Sequence, residues 1–191
     1  MQAIRRSGLP RTVVVAAAVA ASMLALVAAS AQAKVVKVTG ESSTFTPSAQ
    51  VTGFLANHGV SVSAIEPASI QDGKLTLPIV AGRVNTKNAH GVLAMKGGIE
   101  LSKGERSVKI RHFVAVNTNR GAWLGAKVGK RRLVVARLTD RSKQVDGTSA
   151  TVSANLRLSR PAAKLINRVA GAHVVSAGAL LGSATATVTT G

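Results

Sequence analysis

Residues 97–138 read GGIELSKGERSVKIRHFVAVNTNRGAWLGAKVGKRRLVVARL, and this stretch decides the fold. Apolar and polar side chains alternate along it with a period of two, and glycine turn signals at 103–104 and 129–130 separate the alternating runs. Short alternating segments joined by tight turns are typical of antiparallel strands. One predicted strand face carries Val108, Ile110, His112, Val114 and Val116.

The same alternation continues on both sides of this stretch. It runs through residues 75–79, 152–158 and 184–188, and Gly-containing turn signals lie between these runs. Pro78 cannot donate a hydrogen bond to a neighbouring strand, so its strand is predicted to lie at a sheet edge. The pattern predicts an all-β protein, mainly an antiparallel β-sandwich.

Two short segments depart from the strand pattern and predict α-helices. In the first, Thr46 is expected to cap a helix that the following proline opens and Gly59 ends. In the second, Ser159 is expected to cap a helix with Pro161 in its first turn and Gly171 at its end. Because each helix follows a strand-like stretch, FTPSAQVTGFLANHG and LSRPAAKLINRVAG form a weak internal repeat.

The first 33 residues have the layout of a secretory signal peptide. Three arginines precede an apolar run over 13–29, and Ala-Gln-Ala at 31–33 supplies a cleavage site. An uncleaved membrane anchor and a twin-arginine signal are the alternatives. Cleavage would leave residues 34–191 as one domain, without cysteine and without a second apolar run long enough to span a membrane. We therefore expect a protein that is secreted or loosely held at the cell surface.

The charge of the chain is strongly biased. It carries 25 Lys and Arg against 7 Asp and Glu, and from Lys103 to Lys143 there are 12 basic residues but only Glu105 and Asp140 as acids. Such a field attracts anionic envelope polymers and lipid surfaces. Specific nucleic-acid binding is not expected, because tyrosine is absent and three Phe and one Trp are all that could stack on bases.

Six basic residues are the candidates for a polyanion-binding surface. Three of them form a run at a predicted turn, and the other three point away from the core of predicted strands. If these strands are neighbours, their outer face is suited to acidic polymers or lipid phosphates, whereas the alternative is an ordinary solvated face. Trp123 shares a strand face with Lys127. It is expected to be either an exposed aromatic residue that contacts a ligand or a partly buried residue that covers the core. The candidates are Lys109, Arg111, Lys130, Arg131, Arg132 and Arg157.

No catalytic constellation is recognisable, so we expect no enzyme activity. The sequence lacks a Gly-x-Ser-x-Gly nucleophile motif, a phosphate-binding Gly-Lys-Ser/Thr motif and a His-Glu-x-x-His zinc motif. Its acidic residues are scattered and are interpreted as counter-charges to nearby cations. An unrecognised envelope-polymer hydrolase stays open as a third hypothesis, since distant residues can converge in space.

The order of these segments resembles the HtaA-like domains of secreted actinobacterial proteins. The first helix unit is followed by GKLTLPIVAGRV, GVLAMKGGIELSKGERSVKIRHFVAV and GAWLGAKVGKRRLVVARL, then by the second helix unit and GALLGSATATV. The resemblance covers about residues 43–188, and its most specific pieces are the double glycine at 97–98, the run at 121–129 and the closing Leu-Gly-x-Ala-x-x-x-Val. It implies a β-sandwich with short helices. In the characterised members it also implies haem capture, with a Tyr iron ligand assisted by His.

This chain departs from the haem-binding members, because it contains no tyrosine. Imidazole and thioether are other iron ligands, so four histidines and Met95 are considered instead. His112 is predicted to be a core histidine, and His58 and His173 are predicted to stabilise helix ends. His90, in a loop before GVLAMKGG, is the strongest candidate cofactor ligand. The leading hypothesis is an exported, non-enzymatic binding or structural module with a basic surface; haem binding through a non-Tyr ligand set is the alternative.

Overall fold

The computed structural model describes residues 35–38, 42–85, 87–146 and 149–189, all within the unit Ala33–Gly191. The predicted signal peptide at 1–33 lies outside the described residues. Two helices, α1 (Ala49–Asn57) and α2 (Arg160–Ala170), and twelve strands occur in the described ranges. Neither helix there is long and apolar enough to cross a membrane.

The strands are β1 (Val35–Val38), β2 (Ser42–Pro47), β3 (Ser61–Ile65), β4 (Ser69–Gln71), β5 (Lys74–Asn85), β6 (Gly91–Met95), β7 (Gly98–Lys103), β8 (Arg106–Thr118), β9 (Gly121–Val128), β10 (Arg131–Asp146), β11 (Ser149–Leu158) and β12 (Leu180–Thr189).

Eight of the described strands form a closed antiparallel ring. The order around the ring is β5-β2-β12-β11-β10-β9-β8-β6, and β6 closes it by pairing with both β5 and β8. Strands β1 and β4 pair with β5 outside this ring, and β7 pairs with β8 and carries β3 on its far side. The predicted fold class, mainly antiparallel β with two short helices, is confirmed.

The ring encloses an aliphatic core built from alternate strand residues. Leu75, Leu77 and Ile79 of β5 are buried on its inner face, as their spacing predicts. Much of the inner surface of β10, β11 and β12 is alanine, and no polar or charged residue is buried in the described part of the chain. Small inward side chains leave open space inside the ring. The buried alanines of these strands are Ala136, Ala150, Ala154 and Ala186.

Strand β5 is not the sheet edge that Pro78 predicts. Strands β2 and β4 flank its first half, and β1 and β6 flank its second half. Pro78 falls between Thr76, the last residue paired with β4, and Ile79, the first paired with β6. The missing N–H therefore interrupts no ladder on that side, and the Pro78 carbonyl oxygen accepts a hydrogen bond from the Lys96 N–H at 3.0 Å.

A bulge in β8 changes which residues face the core. His112 has a φ of 53°, and the pairing with β9 shifts between Arg111 and Val114. Ile110 and Phe113 are consequently both buried, whereas His112 is exposed. The prediction that His112 is a core histidine is wrong, because the bulge inserts one extra residue and moves the following positions to the opposite face.

Each helix begins at a serine fixed to a neighbouring strand. Ser48 caps α1 and Ser159 caps α2, each accepting a hydrogen bond from the backbone three residues on. The Ser48 N–H donates to the Leu181 carbonyl oxygen at 2.8 Å, and the Ser159 N–H donates to that of Val135 at 2.9 Å. Each serine hydroxyl donates to the preceding carbonyl of the same strand. The two helix units thus make matching contacts with the ring.

Of the predicted starts and ends of the two helices, three agree with the structure and the start of α1 does not. The predicted cap Thr46 is wrong, because it lies in β2 and pairing with β12 continues through Pro47. Helix α1 ends at its C-cap His58, directly before the predicted stop Gly59, which has a φ of 61°. The His58 Nδ1 donates to the Phe54 carbonyl oxygen at 3.0 Å, so the predicted helix-end role of His58 is confirmed. Helix α2 has its predicted serine cap and ends at Gly171 in the left-handed conformation, with φ of 70°.

Gly98 approaches the neighbouring strand too closely to carry a side chain. A Cβ at Gly98 would lie 2.2 Å from the Ile110 carbonyl oxygen on β8. We expect Gly98→Ala to lower the free energy of unfolding by about 1–3 kcal/mol, because strands β7 and β8 must separate to admit the methyl group. Urea denaturation measures this difference.

Gly53→Ala is the matched control for this change. Gly53 lies in α1, and a Cβ there meets no described atom within 4 Å apart from its chain neighbours and the surrounding helix backbone. Alanine favours the helix interior over glycine, so we expect the free energy of unfolding to rise by about 0.5–1 kcal/mol. Equal effects of the two substitutions would contradict the packing argument.

Candidate anion-binding face and interior cavity

Five cations lie on the outer surface of strands β8 to β11. Arg111 on β8 is opposite Lys127 on β9, which is opposite Arg132 on β10. Arg137 on β10 is opposite Arg157 on β11. All five side chains are exposed. We call this set the cationic face: Arg111, Lys127, Arg132, Arg137 and Arg157.

The cationic face has little counter-charge. Within the described ranges no ion pair joins it to a carboxylate, and the pair between Lys109 Nζ and Glu100 Oε2, 3.6 Å apart, lies beside it. Asp140 accepts hydrogen bonds from the side chains of Asn155 and Thr139, which hold the pKa of Asp140 below its usual value. The charge of Arg157 acts in the same direction. This carboxylate is therefore ionised at neutral pH and partly offsets one end of the face.

An uncharged row, which we call the trough, separates the two groups of cations. Between Lys127 and Trp123 on β9 lies Gly125, which pairs with Val114 on β8 and Val134 on β10. Trp123 is half-buried and lies opposite Arg137. The outer surface thus has a row of three cations on one side of the trough, and Trp123, Arg137 and Arg157 on the other.

The structure brings together part of the predicted basic set. Lys109 lies on the same strand as Arg111 but is engaged with Glu100. Lys130 and Arg131 are exposed where β9 turns into β10. The three predicted residues that belong to the cationic face are Arg111, Arg132 and Arg157.

The sequence reasoning missed two members of the cationic face. Lys127 follows the buried Ala126, and Arg137 follows the buried Ala136. Alternation alone therefore indicates that both side chains point outward. The missing information was the register between strands, which determines that these side chains stand opposite other cations.

Two cavities border the inner faces of the described ring strands. The main cavity, of about 290 Å³, is enclosed by both helices and the inner faces of the strands. Its lining is hydrocarbon except for the hydroxyl of Thr52, which donates to the α1 backbone oxygens of Ser48 and Ala49 at 3.3 and 3.1 Å. The small cavity, of about 100 Å³, is lined by Met95 and Ala89 among others.

The candidate iron ligands do not gather at the main cavity. His90 is half-buried in the loop between β5 and β6 and lines neither cavity, and Met95 lines the small one. His112 and His173 are exposed, and His58 ends α1. His173 does not cap α2 as predicted. No group of three or more His, Asp or Glu that could hold a metal ion occurs in the part of the chain that is described.

Comparison with solved structures shows that the domain has an HtaA-like fold, as the sequence resemblance predicts. The C-terminal domain of HtaA from Corynebacterium glutamicum matches with a TM-score of 0.67 at 19% identity, over 82% of this chain and 99% of that chain. A domain-swapped dimer of a histidine-to-alanine variant of that domain gives a TM-score of 0.56 at 19% identity, over 74% and 88%. Heme binding protein HtaB from the same organism gives 0.57 at 11% identity, over 83% and 96%. No protein-family model and no curated protein sequence matches the chain.

The residues of the main cavity do not fit haem. Haem iron requires a donor such as imidazole, thioether, thiolate or phenolate, and the described lining supplies none. Burial of the polar propionates would require hydrogen-bond partners, but Thr52 is already engaged by the helix backbone. The fold is thus shared without a haem-ligand set in this cavity.

Lys127 is flanked by like charges on both neighbouring strands. Like charges directly opposite each other in antiparallel strands cost roughly 0.2–1 kcal/mol per pair. We expect Lys127→Thr to raise the free energy of unfolding by this order at low ionic strength, and the gain to shrink in concentrated salt, which screens the repulsion. Urea denaturation at two salt concentrations measures the change.

Lys74→Thr is the matched control for Lys127→Thr. Lys74 is an exposed strand residue that lies opposite the neutral Gln71. The same exchange of Lys for Thr there reports intrinsic strand preference without relief of repulsion. Equal and salt-independent gains at both positions would show that the cation rows are not under electrostatic strain.

Proposed function

Because the domain has the HtaA-like fold but lacks a haem-ligand set in its main cavity, we propose that it is an exported, non-enzymatic module that binds acidic polymers of the cell envelope. The observation that carries this proposal is the cationic face: five exposed cations in register across four adjacent strands, without an ion pair in the described residues. The signal-like segment at 1–33 supports export.

The geometry of the cationic face suits a repetitive ligand. Neighbouring strands are about 4.8 Å apart, so a row across three strands presents cations at regular short intervals. A chain that repeats phosphate or carboxylate groups can contact several of them at once, and guanidinium groups can bind such groups in a bidentate manner. Neither of the two cavities described above is lined by a residue of the cationic face, so a ligand would lie across its exposed side chains.

The trough gives such a polymer a path across the strands. Gly125 has no side chain, so a polymer can approach the backbone of β9 between Val114 and Val134 on the neighbouring strands. The half-buried Trp123 offers an apolar surface at the border of this path, on which a sugar ring can pack. These features favour an acidic glycan or polyol phosphate over a featureless anion.

We expect the chain to be retained on immobilised polyphosphate and on dextran sulfate, and to elute at raised salt. The triple variant Arg111→Gln, Lys127→Gln and Arg132→Gln removes one complete row. If each exposed cation contributes roughly 0.5 kcal/mol, the affinity falls about tenfold and the salt dependence becomes shallower. Salt-gradient chromatography and isothermal titration measure both quantities.

The control is a triple variant with the same change in net charge away from this face. Lys37→Gln, Lys74→Gln and Lys164→Gln alter exposed residues on β1, β5 and α2. We expect this variant to elute close to the unaltered chain. If both variants weaken binding equally, net charge alone accounts for retention and the proposed face is wrong. Binding to anionic phospholipid vesicles without binding to either polymer would assign the partner to a lipid surface.

Haem binding through non-Tyr ligands is the second candidate, because the fold is shared with HtaB. Given the lining of the main cavity, we expect hemin titrated into the chain to give an absorbance change that high salt abolishes, as cations holding propionates would produce. A one-to-one Soret shift that survives high salt and disappears in His90→Ala would instead establish haem as the ligand.

A further inference from the structure

We infer that the main cavity is a second binding site, which takes one unbranched hydrocarbon chain. Its described lining is aliphatic and aromatic, and its one hydroxyl, that of Thr52, is satisfied by the α1 backbone. A polar or charged group placed there would lose its hydration without gaining a partner. The chemistry of the lining therefore selects an apolar occupant.

The size of the main cavity suits an alkyl chain. A dry cavity of about 150 Å³ lined by Leu, Ile and Phe can bind benzene, and the main cavity, at about 290 Å³, is nearly twice as large. A ring of eight strands is just wide enough for side chains to fill or for one small ligand to occupy. The side chains that β10 and β11 present to this cavity are Leu133, Val135, Leu156 and Leu158, and they leave its volume open for a ligand. An apolar occupant restores the contacts that the empty volume lacks.

The cavity has an entrance between α1, β3 and β4. Val62 of β3 and Ile70 of β4 both line the cavity, yet they are 39% and 37% exposed. Helix α1 contains no buried residue, although Val51, Phe54 and Leu55 line the same cavity. Large apolar side chains that face both the cavity and the solvent mark the place where a hydrocarbon chain can enter.

The entrance selects the tail of a ligand, because the charged residues nearest to it, Glu66, Asp72 and Lys74, are exposed, include both signs and do not line the cavity. Helix α1 carries no acidic residue in its first turn and no basic residue in its last. Strands β3 and β4 contain only Ser, Val, Ala, Ile and Gln. Two ligand sources share the required chemistry, a free fatty acid and the acyl tail of a lipid or alcohol.

The test is a fluorescence titration of the full chain with N-phenyl-1-naphthylamine, an uncharged probe of apolar sites. We expect saturable binding at one site and displacement by dodecanol and dodecanoate with similar affinity. Because burial of apolar surface provides the affinity, raised salt leaves binding intact. Displacement by dodecanoate alone would mean that a carboxylate is recognised and would overturn the tail-binding inference, as would the absence of saturable binding.

A matched pair of substitutions locates the site. Val62→Trp places a large ring at the entrance, and we expect it to weaken probe binding at least tenfold. Val92→Trp alters a valine of β6 that is 45% exposed and lines neither cavity, so binding should equal that of the unaltered chain. Equal affinities for the two variants would overturn the assignment.

A second pair keeps the test decisive if Val62→Trp disturbs the fold. Ile70→Glu introduces a charge at the entrance, and Val80→Glu introduces the same charge at a strand residue that is 39% exposed and lines neither cavity. We expect only Ile70→Glu to abolish probe binding, with both urea transitions unchanged. If Ile70→Glu binds the probe as well as Val80→Glu does, the entrance is not where we place it.

Binding of a hydrocarbon chain in the main cavity and binding of a polymer on the cationic face are tested by separate variants. The triple variant that removes the row Arg111, Lys127 and Arg132 changes only exposed outer residues. We expect it to bind N-phenyl-1-naphthylamine with unchanged affinity. Conversely, Val62→Trp should be retained on polyphosphate like the unaltered chain. Loss of both activities in either variant would contradict the existence of two separate sites.

Discussion

Closure of the sheet by β6 is the constraint on which the rest of the structure depends. This short strand pairs with β5 and β8 at once, and Gly91 permits the approach, since a Cβ there would lie 2.1 Å from the Arg83 carbonyl oxygen. Once the ring is closed, its strand number sets the width of the interior. The chain does not fill that width, because it contains few aromatic residues and its inner surface is rich in alanine. The small cavity, which Ala154 and Ala186 line, follows from closing a wide ring around small side chains. The main cavity lies where both helices and strands β3, β4 and β7 meet the inner faces of the ring.

The same closure holds the cationic face together. Strands β8 to β11 follow one another through tight turns, so their registers are set locally, and the ring prevents them from separating under the repulsion of opposing cations. The two faces of these strands thus differ in chemistry. The described buried side chains are apolar, whereas the outer surface carries the five cations of the cationic face. The two ligands that we propose, an apolar chain and an acidic polymer, would not compete, because the two sites lie on opposite faces of the same strands.

Local signals in the sequence were sufficient for most elements and for the direction of most side chains. Alternation identified the strands, and Ser159 and Gly171 identified the limits of α2. The errors arose where the outcome depends on distant residues. Pro78 is tolerated inside the sheet because the pairing of β5 with β4 ends before it and the pairing with β6 begins after it. His112 is exposed because a bulge in β8 interrupts the alternation of inward and outward side chains. Lys127 and Arg137 were missed as site residues for the same reason, since cross-strand register is not encoded in any single segment. The cavity was not foreseeable from sequence, because its volume is a sum over many inward side chains.

The bulge at His112 lies where the two borders of the trough on the outer surface begin to differ in chemistry. Before it, β8 contributes Arg111 to the outer surface, and after it Val114, which lies in the trough beside Gly125. One border of the trough is the row of three cations, Arg111, Lys127 and Arg132. The other border combines an indole ring with the guanidinium groups of Arg137 and Arg157. A polymer whose repeat has a distinct front and back would meet different chemistry if it were reversed. We therefore expect the proposed polymer to bind across the cationic face in one direction, so that many copies bound to one polymer would all point the same way.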